Sequence, residues 1–322
     1  MKLFFLLLLC FSSLFAGEKE IKVGVLAYGT VNWELMTIKS QGLDTKYGFN
    51  LVIQKLASKN GVAIAFQAGS ADIIVNDWVW VNRQNAELNP LYFYPYSKAT
   101  GALYTNHKEY KTILDLKGKK VGVAGGPIDK SWLLLRAYSM KLYGEDFSKE
   151  VENIFAAPPI LNKKIIDGFL DGVLNFWHYN ARLEKYGMNK IISINEILRE
   201  LGVESKSIPF IGWVFKKSFA QENRTLIESF LQASYEAKQI LNNEDKAWNS
   251  LRGEMHVKDD TTFEALKQGY RNGIPKKFTK DEIDDIQKIY SLLEKIGGKK
   301  LVGHTKQLDP AIFWQFNPQI SW

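Results

Sequence analysis

The stretch KKVGVAGGPIDKSWLLL, Lys119–Leu135, begins as a short β-branched run, turns at Gly125-Gly126 and continues as an apolar helical pattern. Alternating Val121 and Val123 predict a strand over Lys119–Gly125, and the leucine-rich continuation predicts a helix over Ser131–Tyr143. A strand that delivers the chain into a helix through a glycine turn is half of a β-α-β unit. The first turn of such a helix carries unpaired N–H groups and the positive end of the macrodipole, so polar residues there either cap the helix or hold something polar. Asp129 is therefore a cap or a ligand contact, and Lys130 a solvated cation or a ligand contact. Ser131 is a donor to an oxygen or anion, and Gly126 lets backbone approach a guest. The stretch lacks both glycine patterns of nucleotide-binding loops.

The same alternation lies upstream. IKVGVLA (Ile21–Ala27) predicts a strand, Asn32–Leu43 a helix, NLVIQKLA (Asn50–Ala57) a second strand, GVAIAFQAG a short helix, and ADIIVND (Ala71–Asp77) a third strand. Continuously apolar strands joined by helices predict a parallel sheet covered on both faces. The pattern pauses at the aromatic, proline-punctuated PLYFYPYSKATGALYTN, which contains the extended run Gly101–Thr105, and restarts at Leu116. A second α/β series then runs through GVLNFW to about Phe215, and long amphipathic helices follow from Ser218. Two α/β units joined by extended crossings, without a floppy linker, predict two lobes around a cleft.

Composition bounds the function. The chain has 322 residues, 46% of them apolar and 24% charged, enough for a sizeable core. Residues 1–16, MKLFFLLLLCFSSLFA, read as a secretory leader too short to span a bilayer. The sole cysteine, Cys10, lies inside it, and Leu9 precedes it where a lipoprotein signal wants a small residue, so lipid anchoring is not expected. Removal of the leader takes Lys2 from the 42 basic residues and leaves 41 against 35 acidic, a net charge of +6. The excess is scattered, which argues against nucleic acid as a partner. The four histidines, His107, His178, His256 and His304, show no metal-ligand spacing, and no nucleophile elbow is present. Neither a cofactor, a metal nor an enzymatic activity is expected.

In open α/β sheets ligands sit beyond the carboxyl ends of strands. Here those exits carry Tyr28, Asn32 and Trp33 after the first strand, Asp77, Trp78 and Trp80 after the third, Gly126–Trp132 in the second unit, and Trp177, His178 and Tyr179 after GVLNF. Six of the nine tryptophans, Trp33, Trp78, Trp80, Trp132, Trp177 and Trp213, lie at or beside exits or a crossing. They read either as large core residues or, as a set, as the facing walls of a wet cleft. Asp77 beside two indoles is costly to desolvate alone; it either reads an amino group on a ligand, pairs with Arg83, or caps a helix. His178 orients a ligand or satisfies the core.

The chain resembles the periplasmic solute-binding proteins of ABC importers, in the branch covering nitrate, sulfonate, taurine and thiamine-precursor pyrimidines. The resemblance spans nearly the whole chain after the leader and rests on KYGFNLVI, FQAGSADIIVND, DLKGKKVGVAGG and FLDGVLNFWHYNARLEKYG. It implies a type II periplasmic-binding fold with two lobes, each a mostly parallel sheet flanked by helices. Lobe I would take residues 17–100 and 214–322, and lobe II 101–213. It also implies ligand-loop roles for Asn32–Trp33, Asp77–Trp78, Asp129–Ser131 and Trp177–Tyr179, export to the periplasm, a monomer, and an inner-membrane ABC permease as partner. FWHYNARLE is closer to the thiamine-pyrimidine side, so the expected solute is small, aromatic and amino-bearing. A sulfonate, taurine or nitrate-like anion is the alternative, and an enzyme or an accessory subunit on the same fold is the rival of another class.

Overall fold

Strand β1 (Lys19–Leu26) pairs in parallel with β2 (Phe49–Leu56) on one side and β3 (Ile73–Asp77) on the other, because the intervening helices return the chain to the same end of the sheet before each new strand. The structure, a computed structural model, describes residues 19–205 and 207–319; the expected leader with Cys10 lies outside them. The remaining strands are β4 (Leu91–Ser97), β5 (Ala102–Thr105), β6 (Lys120–Ala124), β7 (Glu152–Ala156), β8 (Gly172–Asn175), β9 (Asn189–Ser193) and β10 (Ile211–Lys216). They build two five-stranded sheets of one plan, β2-β1-β3-β10-β4 and β7-β6-β8-β5-β9.

In each sheet four strands run the same way and a single one, β10 in the first and β5 in the second, runs against them, within the mostly parallel set expected. The reason lies in the crossings. The chain leaves β4 at its carboxyl end, crosses through residues 98–101, and enters the second sheet as β5, which lies between β8 and β9 and runs opposite to both. The return after Glu200 likewise brings β10 in between β3 and β4, antiparallel to both. Ile211 to Trp213 thus already belong to the first sheet, and the boundary expected at 213/214 falls inside β10.

The aromatic stretch that read as a pause is the edge strand β4. Pro95 is tolerated there because an edge strand does not need every N–H, and the pairing with β10 slips at Ile211/Gly212 opposite it. Gly101, at the first crossing, packs its Cα directly on β8; a Cβ there would lie 1.9 Å from the Asn175 carbonyl oxygen.

The helices that position the site are α1 (Val31–Ser40), α2 (Lys59–Gln67), α3 (Trp78–Ala86), α4 (Lys130–Tyr143), α5 (Trp177–Asn180), α6 (Arg224–Asn243), α7 (Asp260–Asn272) and α8 (Lys280–Val302, kinked at Gly298). One apolar cluster joins the halves: Trp78 and Val79 of α3, Leu133 and Leu134 of α4, and Ile286, Ile289 and Leu293 of α8. A second bridge forms where α7 lies against residues 181–186. The strand exits of both sheets face one another between these bridges.

Candidate functional site

Three contacts cross between the facing exits. The first is an ion pair, Asp77 Oδ2 to Lys130 Nζ at 2.9 Å, both side chains largely buried. Asp77 ends β3 and is the N-cap of α3, its Oδ1 accepting from the Trp80 N–H at 2.9 Å. Of the alternatives open for Asp77, the helix cap is present, and the ion pair is made with Lys130 in place of Arg83. Lys130 is the first residue of α4, which Asp129 caps by accepting from the Ser131 N–H at 2.9 Å. Asp129 and Ser131 therefore meet each other across the cap. Gly125, at φ +83°, is required there, since a Cβ would come within 2.4 Å of the Asp129 carboxylate.

The charges of this corner are strongly coupled. Burial pushes Asp77 up, but the Lys130 charge, its hydrogen bond and the Trp80 N–H outweigh it, leaving the carboxyl below its ordinary value. Burial likewise pulls Lys130 down, and Asp77 and Asp129 outweigh it, holding the ammonium above its ordinary value. For Asp129 burial wins over the nearby Lys130 and Lys59, and its carboxyl is raised.

Lys59, the first residue of α2, makes the second crossing contact: its ammonium sits 5.3 Å from the centre of the Phe176 ring, which precedes α5. Sequence reasoning passed over both residues. The available signal was positional, since Lys59 follows the capping Ser58 at the exit of β2 just as Lys130 follows Asp129 at the exit of β6.

The third contact is Trp33 of α1 against Trp177 of α5, edge to face with ring centroids 6.0 Å apart. Trp33 also packs against Trp248 and Tyr270, and Trp177 rests on Gly269 of α7. Beneath Trp33 lies a buried polar network. Glu34 accepts from Lys238 at 2.6 Å, from Ser234 at 2.5 Å and from the Tyr270 hydroxyl at 2.8 Å. Tyr270 thus holds the network with its oxygen and Trp33 with its ring.

The indole-walled cleft needs correction. Trp78 is 0% exposed, donates its Nε1–H to the Pro209 carbonyl and stacks on Phe210. As the first residue of α3 it is turned into the core under α8, so it cannot face a ligand. Trp132 and Trp213 are buried in the same sense, against Phe147 and Phe230. Tyr28 is the opposite case: it is 76% exposed on the loop after β1, with its ring 6.0 Å from His256. Gly126, at φ +92°, shapes the turn before α4.

Two exit residues carry polar atoms with no protein partner. Asn32 is buried with its Nδ2 committed to the Leu26 and Gly29 carbonyls, which fixes the amide and leaves Oδ1 unpaired. His178 has an unpaired Nδ1, and its ring lies beside those of Trp177 and Tyr179. Burial, assisted by Arg182, pulls the His178 imidazole down to about 3, while burial raises the Tyr179 hydroxyl. His178 is therefore neutral in the folded protein at any pH near neutrality. Between its folded value and the ordinary 6.5 the unfolded chain binds a proton that the folded chain refuses, so this residue withdraws stability as pH falls through that window. His178→Gln is expected to lose less stability than the parent between about pH 7 and about pH 4.5, measured by urea unfolding at each pH.

The family profile described as NMT1/THI5 like matches residues 77–247, more than half of the sequence. The chain belongs to the NMT1/THI5-like family. Among solved structures, it is similar to the periplasmic aliphatic sulphonate binding protein SsuA from Escherichia coli, at 15% identity over 95% of each chain with a TM-score of 0.72. It is similar also to the alkanesulfonate-binding protein SsuA from Xanthomonas axonopodis pv. citri bound to MOPS, at 13% identity over 92% of this chain and 98% of that one, with a TM-score of 0.69. The periplasmic nitrate-binding protein NrtA from Synechocystis PCC 6803 matches at 16% identity over 78% of this chain and 69% of that one, with a TM-score of 0.59. At these identities the likeness is one of fold, and it extends to both sheets of this NMT1/THI5-like chain. No curated protein matches the sequence. Among the described residues no helix is long and apolar enough to cross a membrane, and no cluster of three potential metal ligands occurs.

Proposed function

We propose that this NMT1/THI5-like chain is the exported solute-binding component of an ABC importer, taking a small organic solute between its two sheets and presenting it to a membrane permease. The observation that carries the reading is the Asp77–Lys130 pair, which joins the exit of β3 to the exit of β6 across the cleft. A solute entering between them must satisfy a carboxylate and an ammonium at once. A molecule bearing an amino group for Asp77 and a ring nitrogen or oxygen for Lys130 does so without leaving either charge buried and unpaired. The aromatic walls are Trp177 and Phe176, with Trp33 behind, and the unpaired Asn32 Oδ1 and His178 Nδ1 offer further contacts. An aminopyrimidine-like solute fits this set.

A sulfonate-like anion is the second reading. Lys59 and Lys130 on facing exits, with Asp129 shifted toward its neutral form, favour it. Binding without turnover is the expected behaviour.

Native mass spectrometry of the protein purified from its own source is expected to show a retained small molecule. Aminopyrimidines are expected to give a saturable thermal shift, whereas taurine and nitrate give none. Response to the anions alone would establish the second reading. Unchanged binding in both Trp177→Ala and Asp77→Ala would move the site elsewhere, and chemical conversion of a bound solute would make the chain an enzyme.

A further inference from the structure

On the face of the molecule formed by the first crossing and α7 lies a groove of about 590 Å³, a size suited to a small ligand. Its lining includes the crossing (Thr100), β5 (Tyr104), the end of α5 (Asn180), the helix after β9 (Asn195) and α7 (Ala265, Gly269), together with two lysines and two glutamates whose charges balance. None of these residues takes part in the Asp77–Lys130 corner.

Asn180 is 4% exposed, and its Oδ1 accepts from the Ala102 N–H at 2.9 Å. That bond fixes which way the amide points, so the atom left without a partner is a donor, Nδ2. Asn195 contributes an unpaired buried acceptor, Oδ1, to the same groove. A buried donor and a buried acceptor both left unmade cost free energy that a guest with the complementary pair recovers. Tyr104 supplies an aromatic wall, its hydroxyl held protonated up to about 12 by burial and the neighbouring Glu184.

We propose that this groove is a second binding site, for a small uncharged molecule carrying a carboxamide, whose carbonyl accepts from Asn180 Nδ2 and whose N–H donates to Asn195 Oδ1. The site straddles the crossing and α7, and α7 places Gly269 directly under the Trp177 ring, where an added Cβ would come within 2.7 Å. One indole thus separates the groove from the cleft, and occupancy of the groove reports at Trp177.

The test uses the full chain with side-chain ¹⁵N-labelled asparagine and three uncharged probes, nicotinamide, propionamide and acetamide. At least one uncharged amide is expected to shift the Asn180 side-chain resonance saturably and to alter Trp177 fluorescence. Asn180→Asp keeps the acceptor for Ala102 and replaces the free donor by a carboxylate oxygen that repels the amide carbonyl, so it is expected to weaken the amide by about tenfold or more. Ala265→Leu, which fills the groove from α7, is expected to abolish the response. Asp77→Ala, in the cleft, is expected to leave it intact, which separates this site from the one proposed above. Absence of a saturable shift with all three probes, or a shift indifferent to both groove variants, overturns the proposal.

Discussion

Lys238→Met is expected to destabilise the protein by about 3–5 kcal/mol, because it leaves the Glu34 carboxylate buried without its cation. Glu34 is wholly buried in α1, and Lys238 of α6 reaches it at 2.6 Å with almost no solvent contact. Burial pulls the Lys238 ammonium down from its ordinary value while Glu34 pulls it up, and burial wins. The pair therefore sits where charge is expensive and is retained only because Ser234, Tyr270 and Lys238 together satisfy the carboxylate. In urea the midpoint is expected to fall with the slope unchanged, and the melting temperature to drop by on the order of 10 °C. The double variant Glu34→Gln/Lys238→Met is expected to recover much of the loss, since glutamine keeps an oxygen for Tyr270 or Ser234 without a charge. A cost below about 1 kcal/mol for the single variant would mean that water reaches the pair.

The second large effect is on binding. Lys130→Met and Asp77→Asn are each expected to weaken capture of the retained solute by about 2–5 kcal/mol, since each leaves one buried charge facing a ligand that no longer complements the site. Exchanging the charges, Asp77→Lys/Lys130→Asp, separates two roles. The exchanged pair is expected to restore part of the thermal stability lost in the single variants, because an attraction again crosses the cleft. It is not expected to restore binding, because the amino-reading carboxylate has moved from β3 to α4 and the α3 cap is lost. Calorimetric titration of the four proteins checks this; restored affinity in the exchanged variant would show that the pair only fastens the halves together.

Much of the fold is local and could be read from residue order. β1, β2, β3, β6 and the helices after them announce themselves by period, by glycine turns and by caps such as Asp129. What escaped is non-local. β4 was hidden because Pro95 counts against a strand unless that strand is known to be an edge, and edge position is a property of the sheet. β10 read as part of the second unit because nothing in IGWVFK says which sheet it joins; only the direction of the returning chain decides that.

The candidate site divides in the same way. Residue order alone determined that polar and aromatic side chains gather at the strand exits, since the turn chemistry of Gly125-Gly126 and the caps at Asp77 and Asp129 depend on near neighbours. Only the tertiary structure decided which of them face the cleft, because an indole at the start of a helix turns toward whatever packs beside it. Trp78 meets α8 and Pro209 and is entombed, whereas Trp177 meets Trp33 and Gly269 and closes the gap between the halves. The choice of Lys130 over Arg83 as partner for Asp77 belongs there too, for it joins the exits of two different sheets through residues 53 positions apart along the chain.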